Sequence, residues 1–425
     1  MSLKSHDPRC IIDELPMELL EQIVSNLPVM DFCSFRRSCK AIEAKTFESF
    51  VVEYFIELPI MLLPFSLSHL VEISNDVRLA KRVKRITVSR AGDTFEGYTD
   101  PNFQYPEELK AFLRKKRTMQ EEGLDVAMLA EALEGLDRCH ELSISKSDRG
   151  LGRRTIQTCT SSKPTIPLHD LISNDIMWTI IKAVKRSDTV FRSFRVPPEY
   201  TMSTENWEVE SLWTGRGIQG APSVLTNLVE FEIGLNPCDL VDEEARHFLK
   251  LLSYADQLRS LSLIVKCYGI RASAHAMACE NAVTRWTNSL VARLELQHLK
   301  LHGFSLSEEV LKSFILSFQC SLRTLTLDHI CLWSGDWKDI FRFLGRQTRL
   351  DKVDFRFLMQ DHDRFRVAFL KGDHQRQMLF DELNQHVHHK SRYDMQRFLD
   401  NLATMVFTEE ELVRYAPEET YQWGT

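Results

Sequence analysis

The chain has 425 residues, 44% of them hydrophobic and 27% charged, with a formal net charge of −7. That apolar content excludes a disordered chain, and the small negative charge excludes a general binder of nucleic acid or anionic membrane. With 16 glycines and 14 prolines, glycine is at about half its usual share, so helices should be many. At about 150 residues per domain, the length allows roughly two or three domains or one long repeat array.

The opening MSLKSHDPRC carries no secretory apolar region. The longest apolar run, Leu58 to Phe65, is interrupted by Pro59 and Pro64 and falls far short of the ~20 residues that span a bilayer. Ten cysteines are spread through the chain with no C-x-x-C, which suits free thiols in a reducing compartment. The expectation is a soluble intracellular protein, cytoplasmic and/or nuclear, with no membrane partner.

The first helix opens at Leu15-Pro16, with Pro in the first turn and Asp13, Glu14 and Glu18 at its positive end. Leu19, Leu20, Ile23, Val24 and Leu27 form one apolar stripe. Asn26-Leu27-Pro28 ends it. Asp31 is the expected cap of a second short helix carrying Phe32 and Phe35. Ser38-Cys39-Lys40 leads into a third, apolar at Ile42, Phe47, Phe50, Val51 and Phe55. Three helices in under fifty residues make a small core, so part of this surface should seek a partner.

The string LPMELLEQIVSNLPVMDFCSFRRSCKAI resembles an F-box, the motif that docks a substrate receptor onto the small adaptor subunit of SCF-type ubiquitin ligases. Leu15, Pro16, Glu18, Leu19, Leu20, Ile23, Leu27, Asp31, Phe32, Phe35, Cys39 and Lys40 carry the resemblance; Ser38 and Ile42 depart from the family pattern. It implies adaptor contacts from Leu15, Pro16, Leu19, Leu20, Ile23, Leu27, Asp31, Phe32, Phe35 and Cys39, and a cullin reached through that adaptor.

Beyond residue 60 an apolar unit spaced i, i+3, i+5 keeps returning. It appears at Val83/Ile86/Val88, Cys139/Leu142/Ile144, Phe191/Phe194/Val196 and Leu228/Phe231/Ile233. It continues at Leu258/Leu261/Leu263, Leu296/Leu299/Leu301, Leu322/Leu325/Leu327 and Leu350/Val353/Phe355. The all-leucine form L-x-x-L-x-L should occur roughly once by chance, and three copies fall between Leu258 and Leu327. Leu228 to Asn236 also completes L-x-x-L-x-L-x-x-N with its other apolar residues.

Helical patterns separate the units. Asp242 precedes Ala245, Phe248, Leu249 and Leu252; Ser305-x-x-Glu308 reads as a capping box before Val310, Leu311, Phe314, Ile315 and Phe318; Trp337, Ile340, Phe341 and Leu344 form a further stripe. The last steps between units are 26 and 28 residues, near the leucine-rich-repeat period. The expected class is α/β: an F-box over 9–58, an irregular leucine-rich-repeat-like strand–helix solenoid over 59–360, and a helical cap with an acidic tail over 361–425. A compact α/β domain is the alternative. Residues 145–167 read as a surface loop, and Glu409, Glu410, Glu411, Glu418 and Glu419 make the tail acidic.

Catalytic motifs are weak. Gly215-Arg-Gly217-Ile-Gln-Gly220 matches G-x-G-x-x-G without the strand and helix a dinucleotide needs, and a plain loop fits better. His374, His386, His388 and His389 lack a carboxylate or cysteine at ligand spacing, so exposed histidines on a helix are the expectation. Asp361-His362-Asp363 lacks an EF-hand continuation. No metal, cofactor or catalytic residue is expected, and the chain should not be an enzyme.

Basic clusters occur at Lys81, Arg82, Lys84 and Arg85, at Arg114 to Arg117, and at Arg149, Arg153 and Arg154. Residues alternating with the strand leucines should line the concave side of a horseshoe. They include Glu141, Arg195, Glu230 and Glu232, and their mixed signs suit a protein partner better than phosphates. The strip expected to hold a target protein is His298, Lys300 and His302, then Thr324, Thr326 and Asp328, then Lys352, Asp354 and Arg356. The expected function is a non-catalytic target-recognition subunit of a cullin ligase; a scaffold without a role in ubiquitination is the alternative.

Overall fold

The computed structural model describes residues 15–89, 107–145, 176–196, 225–235, 252, 254–265, 272–290, 294–360, 365–366, 368–369, 386–389 and 395–407. The chain begins with α1 (Met17–Ser25), α2 (Val29–Ser38), α3 (Lys40–Lys45) and α4 (Phe47–Tyr54). Pro16 and Pro28 are the residues flanking the starts of α1 and α2, each with φ near the value its ring imposes. Their carbonyls accept from Leu20 N (3.2 Å) and Phe32 N (2.9 Å).

Two expectations are corrected here. Asp31 does not cap α2; it lies in the first turn, where its carboxylate still faces the positive helix end. The expected third helix is two helices, because Thr46 leaves helical geometry at φ −93° and ψ 4° and turns its hydroxyl back onto Ile42 O at 2.7 Å. The four helices close over Leu20, Val24, Phe32, Ile42 and Val51. Phe32 meets Phe50 edge-on at 5.5 Å, and the Arg36 guanidinium lies 3.8 Å from the Phe50 ring centre.

The body follows as β1 (Glu57–Ile60), α5 (Pro64–Asn75), α6 (Val77–Ala80), β2 (Arg85–Ser89), α7 (Glu107–Glu121), α8 (Leu124–Gly135) and β3 (Glu141–Ser145). Then come α9 (Ile176–Ser187), β4 (Ser193–Val196), β5 (Glu230–Leu235), β6 (Ser260–Val265), α10 (Ala272–Leu290), β7 (His298–His302), β8 (Ser305–Ser307) and α11 (Glu308–Leu316). The remainder is β9 (Thr324–Asp328), β10 (Cys331–Ser334), α12 (Trp337–Gln347), β11 (Lys352–Arg356), β12 (Met359–Gln360), β13 (Phe365–Arg366), β14 (Ala368–Phe369), β15 (His386–His389), α13 (Met395–Met405) and β16 (Val406–Phe407).

One ten-stranded sheet runs β1-β2-β3-β4-β5-β6-β7-β9-β11-β15, parallel throughout except for the antiparallel β11–β15 pair. Each unit read from the sequence supplies one strand. The register aligns Ile86, Leu142, Phe194, Phe231, Leu261, Leu299, Leu325 and Val353 in a single row. The first member of every unit, from Val83 to Leu350, is buried just before its strand. Burial of this row on one face is what fixes the register, since a one-residue slip would turn the leucines to the other face.

Helices pack on their neighbours in chain order: α5 on α8, α8 on α9, and α10, α11, α12 and α13 in succession. The Trp337, Ile340, Phe341 and Leu344 stripe is fully buried. Ser305 does not cap α11. It belongs to β8, and Ser307 is the cap, with its hydroxyl accepting from Val310 N at 3.4 Å. Glu308 instead pairs with Lys312 and accepts from Asp336 N at 2.8 Å, tying two units together.

Three consecutive units turn alike. Gly303, His329 and Phe357, each one residue past β7, β9 and β11, all have positive φ (76°, 54° and 48°). Each turn redirects the chain into β8, β10 or β12, which form a second, parallel set of short strands. The expectation of a purely helical C-terminal region is corrected, because the described residues there include β13 to β16 as well as α13. His386–His389 is a strand, not a helix face: its backbone satisfies the otherwise open edge of β11. Leu399 and Met395 of α13 are buried in the core that also contains α12.

Candidate functional site

Two surfaces stand out. On the helical module, Met17, Leu19, Ile23, Val29 and Met30 are 40–53% exposed, five of the twelve large apolar side chains exposed among the described residues. The first helix is therefore apolar on two sides. Leu20 and Val24 point inward, while Leu19 and Ile23, also four apart, face out. Pro16 is exposed beside them, and Leu15 is half-buried, its carbonyl accepting from Lys45 Nζ at 3.3 Å.

The ten residues expected at the adaptor contact thus divide. Leu20 (0% exposed) and Phe32 (2%) belong to the core and present no side chain, a correction that follows from their packing inside the four helices. Leu27, Phe35 and Cys39 are half-buried and Asp31 is exposed. Cys39 acts locally as the cap of α3, its sulfur accepting from Ile42 N. Met17, Val29 and Met30 were missed by the sequence pattern. The signal available was their position directly after or near Pro16 and Pro28, at helix starts with no inward stripe to join.

The second surface is the polar face of the sheet, where three rows cross β7, β9 and β11. His298, Thr324 and Lys352 are aligned, as are Lys300, Thr326 and Asp354, and His302, Asp328 and Arg356. His298 and Arg356 are exposed; Lys300, His302, Thr324, Thr326, Asp328 and Lys352 are half-buried. Asp354 is 7% exposed, so it does not face a partner directly; it holds Arg356 by two hydrogen bonds of 3.0 and 2.7 Å. That pairing raises the Arg356 pKa above its ordinary value, against a smaller lowering by burial.

Asp328 is the meeting point of two imidazoles. His302 Nδ1 lies 3.2 Å from one carboxylate oxygen and His329 Nδ1 lies 2.7 Å from the other. Burial works to raise the Asp328 pKa, but the hydrogen bonds from both histidines outweigh it and hold the carboxyl below its usual range. Strand alternation does not reach His329; only the left-handed turn after β9 returns its ring to Asp328.

The same face continues toward the N-terminus as paired charges. Arg85 lies between Glu57 (3.0 Å) and Glu141 (Nε to Oε2, 2.7 Å), and Arg195 lies 3.5 Å from Glu230. Arg82 pairs with Glu48 on α4, so the Lys81–Arg85 run is not a uniformly positive patch. Lys116, within the second basic run, is buried. Cys139 is buried too, and desolvation pushes its thiol up to about 12, far from a reactive thiolate. No helix among the described residues is long and apolar enough to cross a membrane.

Several sequence candidates lie outside the described residues: Gly215–Gly220, 146–167 with Arg149, Arg153 and Arg154, Asn236, Asp361-His362-Asp363, His374 and the acidic tail. Compared with known proteins, residues 12–44 match the F-box domain family. No curated protein matches the chain. Residues 12–44, which include α1, α2 and most of α3, thus carry an F-box domain, a domain with a general adaptor-binding role in SCF assemblies.

Proposed function

We propose that the chain is a non-catalytic target-recognition subunit of an SCF-type cullin ubiquitin ligase. The observation that carries the reading is the cluster of exposed apolar side chains on α1 and the start of α2, inside the segment that matches the F-box. Docked on a small adaptor subunit, Leu19, Ile23 and their neighbours leave water, and each side chain contributes about 1.5–3 kcal/mol when burial is complete.

The body then serves as the target-binding region, an irregular leucine-rich-repeat-like solenoid. Support comes from strands added in chain order without doubling back and from the turn shared by Gly303, His329 and Phe357. Its mixed-sign rows, already partly paired among themselves, suit a protein surface with complementary charges better than a phosphate backbone. The protein works in a soluble intracellular compartment, cytoplasmic or nuclear.

Co-purification of the full chain with an adaptor and a cullin tests the proposal. Recovery of both sustains it. Adaptor without cullin points to a scaffold outside ubiquitination, and recovery of neither overturns adaptor docking.

A further inference from the structure

We propose that His302, Asp328 and His329 form a zinc-type divalent metal site at the C-terminal end of β7 and β9. The inference stands on this triad and is independent of whether the F-box is used in a ligase. One ligand atom from each of the three residues lies within 4.8 Å of the other two. Zn²⁺ takes His nitrogen and carboxylate oxygen at about 2.0–2.2 Å, so tetrahedral ligand atoms sit ~3.3 Å apart. His302 Nδ1 lies 3.2 Å from one Asp328 oxygen and His329 Nδ1 lies 2.7 Å from the other, so a metal would take both carboxylate oxygens or require the carboxylate to turn toward one of them. The two rings lie 5.0 Å apart between centres.

The backbone holds all three residues in place. His302 and Asp328 are register partners on adjacent strands. Gly303 N donates to Asp328 O and His329 N donates to Arg356 O, each at 3.0 Å, so both flanks of the triad are fixed. The His329 ring packs on Phe357 at 4.5 Å. Side-chain exposures of 31%, 16% and 47% leave the cluster open on one side, where a fourth ligand from water or a bound protein can complete the shell. Of the cations in the same row, Arg356 is engaged by Asp354 and does not compete for Asp328 by direct contact.

Two imidazoles and one carboxylate suit a borderline first-row ion and are a poor set for Ca²⁺ or Mg²⁺, which take oxygen ligands. The left-handed turn that His329 shares with Gly303 and Phe357 of the neighbouring units is what returns its ring to Asp328.

Untagged full-length protein, stripped of metal with a chelator, would be titrated calorimetrically with Zn²⁺ and optically with Co²⁺. The expected result is one equivalent bound at this site, with a tetrahedral Co²⁺ spectrum lacking a thiolate charge-transfer band. His302→Gln and His329→Gly should each weaken binding more than tenfold. Glycine suits the left-handed backbone at 329, so that variant keeps its fold, to be verified by metal-free thermal unfolding. Equal affinity in both variants, a thiolate band, or no binding to the wild type would overturn the site.

Discussion

Trp337 donates its indole N–H to the carbonyl of Met359 at 2.8 Å, linking the first residue of α12 to the short strand β12. The ring itself is fully buried and stacks on Phe341 at 5.7 Å. One side chain therefore supplies apolar core and closes a polar gap between successive strand–helix units. Trp337→Phe keeps the aromatic contact but loses the donor and part of the volume. It should cost about 2–3 kcal/mol, seen as a lower urea midpoint with unchanged adaptor recovery.

Gly303 should tolerate even less. At φ 76° a Cβ would also come within 1.9 Å of the Val265 carbonyl oxygen, a main-chain atom that cannot swing aside. Gly303→Ala should destabilise by about 3 kcal/mol or more. Thermal unfolding checks this, and a midpoint within experimental error of the wild type would show that β7 does not approach β6 so closely.

The strands were legible because their signal is redundant. Three apolar positions per unit recur eight times, and all but the partly buried Phe194 are buried where neighbouring strands share a register. The left-handed turns were legible at Gly303 at most, since His329 and Phe357 adopt the same backbone without a permissive residue. The break at Thr46 was hidden because Ile42, Phe50 and Val51 continue a plausible helical stripe across it, and the competing hydroxyl bond leaves no apolar mark. His386–His389 became a strand through a tertiary demand, the open edge of β11, which local sequence does not encode. At the candidate adaptor surface the stripe on α1 was visible, yet its division into inner Leu20 and outer Leu19 required the other helices to be in place.

The cysteines offer a chemical test of the core. Cys320 is exposed, whereas Cys139 is buried with its thiol pushed up to about 12 by desolvation. A raised folded-state pKa means that the stability linked to the neutral thiol is fully present below the unfolded value near 8.5 and is lost as pH rises toward about 12. At pH 8, native protein treated with iodoacetamide should therefore label at Cys320 and not at Cys139, while urea exposes both. Peptide mass mapping provides the readout, and rapid native labelling of Cys139 would contradict its burial.

Adaptor docking can be separated from folding by choosing sides of α1. Leu19 and Ile23 face solvent, so Leu19→Ala with Ile23→Ala should leave the unfolding midpoint nearly unchanged. Loss of their burial at an interface should weaken adaptor binding by about 2 kcal/mol or more, over tenfold in Kd. Leu20→Ala, at 0% exposure, should instead destabilise the module by about 2–5 kcal/mol. Binding that ignores the outer pair would remove this face as the docking surface.

The target strip makes the complementary prediction. Lys300 and Lys352 are half-buried on β7 and β11, two strands apart and in adjacent polar rows, with Thr326 and Thr324 between them. Reversing both to Glu changes the charge of the strip by four units while altering no apolar core position. Stability should shift by about 1 kcal/mol at most for two partly exposed sites. Their neighbours on β9 are Thr326 and Thr324, and Arg356, two residues along β11 from Asp354, is already held by it, so the added carboxylates would project negative potential outward. A target matched to the lysines should then be repelled: its association should slow most at low salt, and its recovery should fall while adaptor recovery persists. Equal capture of the target by the double variant would place recognition away from β7, β9 and β11.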